Sequence, residues 1–97
     1  MSRSERPPLR PGRTNAFKKD LERCRKRGYD MDIPRVVMGR LIHREPLESV
    51  YDDHPLKGEW AGHRECHLEP DWLLIYRVEG GDITFERTGT HSDLFGE

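Results

Sequence analysis

Ninety-seven residues, 33% hydrophobic and 36% charged, make one domain with a small core. No apolar run approaches the ~20 residues of a membrane span and no signal peptide is visible, so the chain is read as cytoplasmic and without membrane contact. The net charge of −1 hides an asymmetry: residues 1–44 carry 13 Lys/Arg against 5 Asp/Glu, and residues 45–97 carry 4 against 13. A basic part of this kind suits phosphates or an acidic partner, and equally an ordinary solvated helix surface. The two cysteines, Cys24 and Cys66, lack a metal-binding spacing and are read as reduced, partly buried thiols.

Residues 1–13 hold Pro7, Pro8, Pro11 and four arginines. They read as a loose leader, with a short edge strand expected around Leu9 to Arg13 that Pro8 and Pro11 weaken. Residues 14–97 form the domain proper. Asn15 is the expected cap of a first helix, in which Phe17, Leu21 and Cys24 recur at helical spacing and Gly28 supplies the stop. Asp32 is the expected cap of a second helix, with Pro34 tolerated in the first turn and Ile33, Val36, Val37, Leu41 and Ile42 as the buried stripe. Pro46 ends it, and the short connection makes the two helices an antiparallel hairpin.

From Leu47 to Ala61 no period holds, and the stretch reads as a long loop containing Asp52, Asp53, His54, Pro55, Gly58 and Trp60. Gly62 to Leu68 then alternates, with His63, Glu65 and His67 on one face and Arg64, Cys66 and Leu68 on the other. A tight connection through Pro70 leads into Trp72 to Val78, an apolar run suited to a central strand. Gly80-Gly81 is expected to turn with positive φ at both positions. A last strand runs from Asp82 to about Thr88, followed by a short tail with Leu94 and Phe95. The order is short strand, helix, helix, then a three-stranded antiparallel meander. That is an α+β fold, with helices on one face of the sheet and the other face open.

The polar residues left over converge in such a topology. His54 lies in the loop, His67 ends the first meander strand, Asp71 starts the next, Arg87 ends the last and His91 follows it. Histidines with a cation and a carboxylate suit RNA cleavage without metal, because the ribose 2′-OH attacks its own phosphate and the protein need only move protons and offset charge. An imidazole titrates near neutrality and suits both proton roles, each worth typically ~10²–10⁴-fold. His91 is the candidate general acid, His54 the preferred base and Arg87 the charge stabiliser. Asp71 and His67 orient their neighbours or the substrate, and Trp72 and Phe95 are candidates to stack or shape a base. Each also has an inert reading: Trp72 as core, Phe95 as sheet cover, Asp71 as turn chemistry, Arg87 paired with Glu86 or Glu65. His43 and His63 are assigned no role. A metal site is disfavoured, since the four-residue spacings His63/His67 and His67/Asp71 share a face on a helix and this segment reads as strand and turn. No cofactor is expected.

Three ordered runs closely resemble the YafQ-type toxins of the RelE superfamily. They are Tyr51-Asp52-Asp53-His54-Pro55-Leu56-Lys57-Gly58-Glu59-Trp60, His67-Leu68-Glu69-Pro70-Asp71-Trp72-Leu73-Leu74-Ile75-Tyr76 and Phe85-Glu86-Arg87-Thr88-Gly89-Thr90-His91. The resemblance covers roughly residues 14–96. It implies a RelE-like fold, ribosome-dependent cleavage of messenger RNA and neutralisation by a cognate antitoxin protein. DNA is touched only indirectly, through the antitoxin complex. The family's functional positions fall on His54, His67, Asp71, Trp72, Arg87, His91 and Phe95. The basic helices, residues 15–44, would carry most contacts to ribosomal RNA. The rival readings are a non-catalytic antitoxin-binding co-repressor, a ribosome-independent RNase and a metal hydrolase.

Overall fold

The computed structural model describes residues 6–96. In chain order the elements are β1 (Arg10–Arg13), α1 (Asn15–Lys26), α2 (Asp32–Ile42), β2 (His54–Pro55), β3 (Arg64–Glu69), β4 (Trp72–Glu79), β5 (Asp82–Gly89) and α3 (His91–Phe95). Single 3₁₀ turns lie at Ser49–Tyr51 and Gly58–Trp60. The five strands form one sheet in the order β1-β5-β4-β3-β2. All neighbours are antiparallel except β1 and β5, which run parallel. The fold is α+β, with three helices and a mixed sheet.

Of the leader expected over 1–13, residues 1–5 lie outside the described residues. From Leu9 onward the chain is built in: its side chain is in the core and its N–H donates to the Ile42 carbonyl at 2.8 Å. Pro11 does not break β1. Arg10 N–H donates to the Gly81 carbonyl just before β5 and Thr14 N–H to that of Phe85 within it, an even-numbered register in which Pro11 needs no N–H on an edge strand.

The first helix is capped one residue earlier than expected, by Thr14. Its backbone is extended as it leaves β1, and its Oγ1 accepts from Phe17 N at 2.9 Å. The same hydroxyl donates to the Glu86 carbonyl at 2.8 Å, fastening the helix start to β5. The second helix has Met31, not Asp32, at its cap position, where no side chain can cap; Asp30 Oδ1 accepts from Asp32 N instead. Its buried stripe is Pro34, Val37, Met38 and Leu41, while Val36 is exposed, so the helix is rotated slightly from the expected face.

Phe17 and Cys24 from α1, with Val37, Met38 and Leu41 from α2, pack on Cys66, Leu68, Trp72, Leu74, Tyr76, Ile83 and Phe85 of the sheet. Burial pushes both thiols up, that of Cys66 to about 12. The opposite sheet face is not left open as expected. Leu73 and Ile75 have no solvent exposure, and in register they are flanked by His67 and Gly89, and by Glu65 and Arg87. At the β4–β5 hairpin only Gly80 takes positive φ, as a type II′ turn requires, rather than both glycines. Residues 47–61 are not all loop: His54 and Pro55 pair with Glu65 and Arg64, making β2 the outer strand. The C-terminal tail is a short helix, α3, closed by a capping box between Thr90 and Asp93.

Candidate active site

Three histidines far apart in sequence meet. The ring of His67 on β3 lies 6.3 Å from that of His54 on β2 and 6.0 Å from that of His91 on α3, centroid to centroid. The Phe95 ring is 6.5 Å beyond His91, half exposed. Pairing of β2 with β3 carries His54 to this place, and a β-bulge between His67 and Glu69 re-aims the end of β3 before the Pro70–Asp71 turn. Clefts of about 440 Å³ beside His67 and about 390 Å³ beside Asp71 lie around that turn. A more apolar hollow between α1 and α2 holds none of these groups.

His91 is held by Asp71. One carboxylate oxygen, Oδ1, accepts from the His91 backbone N–H at 2.9 Å and pairs with His91 Nδ1 at 2.6 Å. Those two hydrogen bonds hold the Asp71 carboxyl below the usual carboxylate range. The pair is open to water on both sides, and His91 Nε2 has no partner among the described residues. A ring fixed through Nδ1 with Nε2 free is the arrangement a proton donor needs.

His54 and His67 share a different carboxylate. Glu65 Oε2 lies 3.2 Å from His54 Nε2 and 3.5 Å from His67 Nε2, and Glu65 is buried. The alternation of β3 places Glu65 on the histidine face, but its role needs β2, which the sequence does not reveal. The loop bearing His54 is anchored through Asp53. Tyr76 Oη donates to Asp53 Oδ1 at 2.7 Å, and Arg64 Nε donates to the same oxygen at 3.2 Å. Burial and the Asp53 carboxylate push the Tyr76 phenol up.

Arg87 pairs neither with Glu86 nor with Glu65. Its Nε and Nη2 donate to Asp20 of α1 at 2.7 and 3.2 Å, which raises its already high pKa. The reason is the short β1: it leaves β5 after Phe85, so the outer edge of β5 beyond it lacks a strand partner. The Asp20 carboxylate takes that place, accepting from Thr88 N at 3.1 Å as well as from Arg23 Nη2 at 2.9 Å. The clamp leaves Arg87 Nη1 uncommitted to Asp20. Sequence reasoning misses Asp20, although a carboxylate three residues after Phe17, on the apolar stripe, is a signal that could find it.

Trp72 is a correction. Its indole is 1% exposed, packs edge-on against Tyr29 at 4.8 Å and donates from Nε1 to Thr88 Oγ1 at 3.0 Å. A base has no ring face to stack on; the residue is core and braces the strand bearing Arg87. His63 stands apart from the row, against Trp60 at 5.2 Å and within 3.6 Å of Glu86. The expectation of no metal rests on spacing along the chain. The structure instead gathers Asp52, His54 and His67, whose ligand atoms lie within 4.8 Å of one another.

Residues 9–96 match the family described as bacterial toxin of type II toxin-antitoxin system, YafQ. The chain is 48% identical to the mRNA interferase toxin YafQ of Escherichia coli K12 over 81 residues, which are 82% of this chain and 88% of that protein. It resembles YafQ in the crystal structure of the E. coli DinJ–YafQ complex, with a TM-score of 0.85 and 44% identity over 91% of this chain and 99% of that one. A metal-bound toxin from Helicobacter pylori superposes with a TM-score of 0.84 at 40% identity, over 90% and 99%. The chain thus belongs to the YafQ family of bacterial type II toxin–antitoxin toxins.

Proposed function

We propose that this toxin is an mRNA interferase of the cytoplasm that cuts message on the ribosome by acid–base chemistry, and that a protein antitoxin holds it in check. The observation that carries the reading is the row of imidazoles with His91 fixed through Nδ1 by Asp71. In the reaction the ribose 2′-oxygen attacks the adjacent phosphorus, and the bond from phosphorus to the 5′-oxygen breaks. His54 takes the 2′-OH proton, with His67 and Glu65 holding it in place. His91 gives a proton from Nε2 to the departing 5′-oxygen. The products are a 2′,3′-cyclic phosphate and a 5′-hydroxyl, with no water consumed in this step. Because the ribose supplies the nucleophile, the chemistry calls for no metal-activated water.

Arg87 acts on the phosphorane. Clamped side-on by Asp20, its guanidinium keeps Nη1 for a phosphoryl oxygen and loses little freedom when it binds. Phe95, half exposed beside His91, is the aromatic placed to meet a base. Lys18, Lys19 and Lys26 of α1 are exposed and without ion-pair partners among the described residues, which supports contact with ribosomal RNA phosphate. A site this open to solvent gains most from a partner that presents the RNA in a cleavable pose, and the ribosome fills that role.

The test is mRNA cleavage in a purified translation system, with the wild type and His91→Ala side by side. Position-specific cuts that need ribosomes and disappear in the variant are expected. Absence of cuts by a folded wild type, with antitoxin binding intact, would overturn the nuclease reading and leave a co-repressor. Equal cutting of naked RNA would overturn the ribosome dependence.

A further inference from the structure

Helix α3 carries the proposed acid, His91, and the aromatic Phe95, yet it has five residues and buries none of them. A helix that short does not keep its place through its own backbone bonds. Asp71 holds one side of it, but that carboxylate is 65% exposed and water competes for its bonds to His91. The other side is held by Asp93, only 16% exposed. Its Oδ2 accepts from Arg27 Nη1 at 2.8 Å and from Thr90 N at 3.0 Å, and its Oδ1 accepts from Arg27 Nη2 at 3.1 Å. The two-point grip of Arg27 is the largest cause holding this carboxyl far below the usual carboxylate range. Nothing in the proton-transfer scheme uses Arg27 or Asp93.

The grip belongs to a larger frame. Asp20, Arg23 and Arg27 recur at spacings of three and four along α1, with Arg27 at its C-cap, and so share one face. Arg23 Nη2 lies 2.9 Å from Asp20 Oδ1 and 3.8 Å from Asp93 Oδ2, which joins the clamp on Arg87 to the hold on α3. Gly89 makes room for it. A Cβ there would stand 2.9 Å from Asp93 Cβ and Oδ2 and 3.3 Å from Arg23 Nη2, so a side chain at the end of β5 would push the carboxylate away. We propose that Arg27 and Asp93 are positioning residues for the general acid: they latch α3 onto the helix that also clamps Arg87, and so fix where His91 presents its proton relative to the guanidinium. This role rests on the acid–base reading above and adds to it the parts of the chain that aim the acid. Aim matters, since a displacement of ~1 Å costs on the order of 10²-fold in rate.

The test is single-turnover cleavage on ribosomes by the full chain and by Arg27→Ala, Arg27→Lys, Asp93→Asn, Arg25→Ala and His91→Ala, each first checked for folding by circular dichroism. Two messages are compared, one natural and one with sulfur in place of the bridging 5′-oxygen at the cut. When the phosphorus–sulfur bond breaks, the sulfur leaves as a thiolate; a thiol ionises near ~8.5, so it departs without the His91 proton. On the natural message, Arg27→Ala and Asp93→Asn should lower the rate at saturating toxin roughly 10–100-fold, with the half-saturating concentration within about twofold of wild type. Arg27→Lys, which keeps the charge and one point of contact, should fall between. Arg25→Ala removes the same charge from the exposed side of α1 and should keep the wild-type rate. On the sulfur message the deficits of Arg27→Ala, Asp93→Asn and His91→Ala should all shrink to within about threefold, because none of them then lacks a needed proton. An Arg27→Ala rate equal to wild type, a loss confined to the half-saturating concentration, or a deficit of the same size on both messages would overturn the latch and leave His91 as the acid. A His91→Ala deficit that persists on sulfur would refute the acid assignment and the latch with it. A folded wild type that cuts neither message would refute the nuclease reading itself.

Discussion

Replacing Asp20 with alanine tests the edge clamp that holds Arg87. In the folded chain Asp20 is 2% exposed and accepts four hydrogen bonds: two from Arg87, one from Arg23 and one from the backbone of Thr88. Its loss strands the N–H of Thr88, a fully buried residue, which costs ~1–3 kcal/mol. Breaking a fully buried ion pair by removing one partner costs ~3–5 kcal/mol. That figure is too large for this cluster, because the side chains of Arg87 and Arg23 are 29% and 37% exposed and recover water when the carboxylate goes. The ionic part moves toward the ~0–1 kcal/mol of surface pairs. The sum is a destabilisation of about 1–4 kcal/mol, large against the ~5–15 kcal/mol of a typical domain. Urea unfolding followed by tryptophan fluorescence measures it, since Trp72 is bonded to Thr88 and reports this corner directly. The midpoint should fall with the slope unchanged. In a cycle with Arg87→Ala, a coupling of about 0.5–3 kcal/mol is expected. An Asp20→Ala variant within about 0.5 kcal/mol of wild type, or strict additivity with Arg87→Ala, would refute the clamp.

Asp71→Asn should lower kcat by roughly 10–100-fold with KM little changed; the loss stays below the ~10⁴-fold of a buried triad aspartate because water reaches both groups. An unchanged kcat would remove Asp71 from the scheme. The Asp71 carboxyl is lowered in the folded state, so the pair's contribution to stability is complete above the ordinary carboxylate range and fades only as pH falls through the lowered native value. Carbon-detected NMR should find it titrating below ~3.9, and a value at or above that would contradict the geometry. Trp72→Phe should cost about 1 kcal/mol through the lost Thr88 bond and leave KM for RNA unmoved; a raised KM at unchanged stability would mean that the ring touches substrate. Cys66, buried and pushed up to about 12, and Cys24, also buried, should resist Ellman's reagent at pH 8 until guanidinium exposes both thiols. One thiol reacting promptly in the native protein would disprove this.

Much of the architecture is local and therefore legible in the chain. Periodicity marks α1, α2 and the apolar β4; Gly28, Pro46 and Gly80-Gly81 punctuate them, because helices, hairpins and their stops depend on residues a few positions apart. The family resemblance picks out the residues of the candidate site, and topology suggests that they converge. Neither supplies their partners. β2 is two residues long and exists only through pairing with β3, so nothing in its own composition announces it. Asp71 binds His91 20 residues on, and Arg87 finds Asp20 67 residues back, because β1 is too short to cover the end of β5. Trp72 is as fit for a base as for the core until Thr88 and Tyr29 enclose it. The spacing rules that argue against a metal apply within one helix, whereas Asp52, His54 and His67 come from a loop and two paired strands. Local chemistry in the sequence determined which groups are present and which elements carry them; the long-range pairing of the sheet decided which groups face one another, since that depends on contacts between segments far apart in the chain.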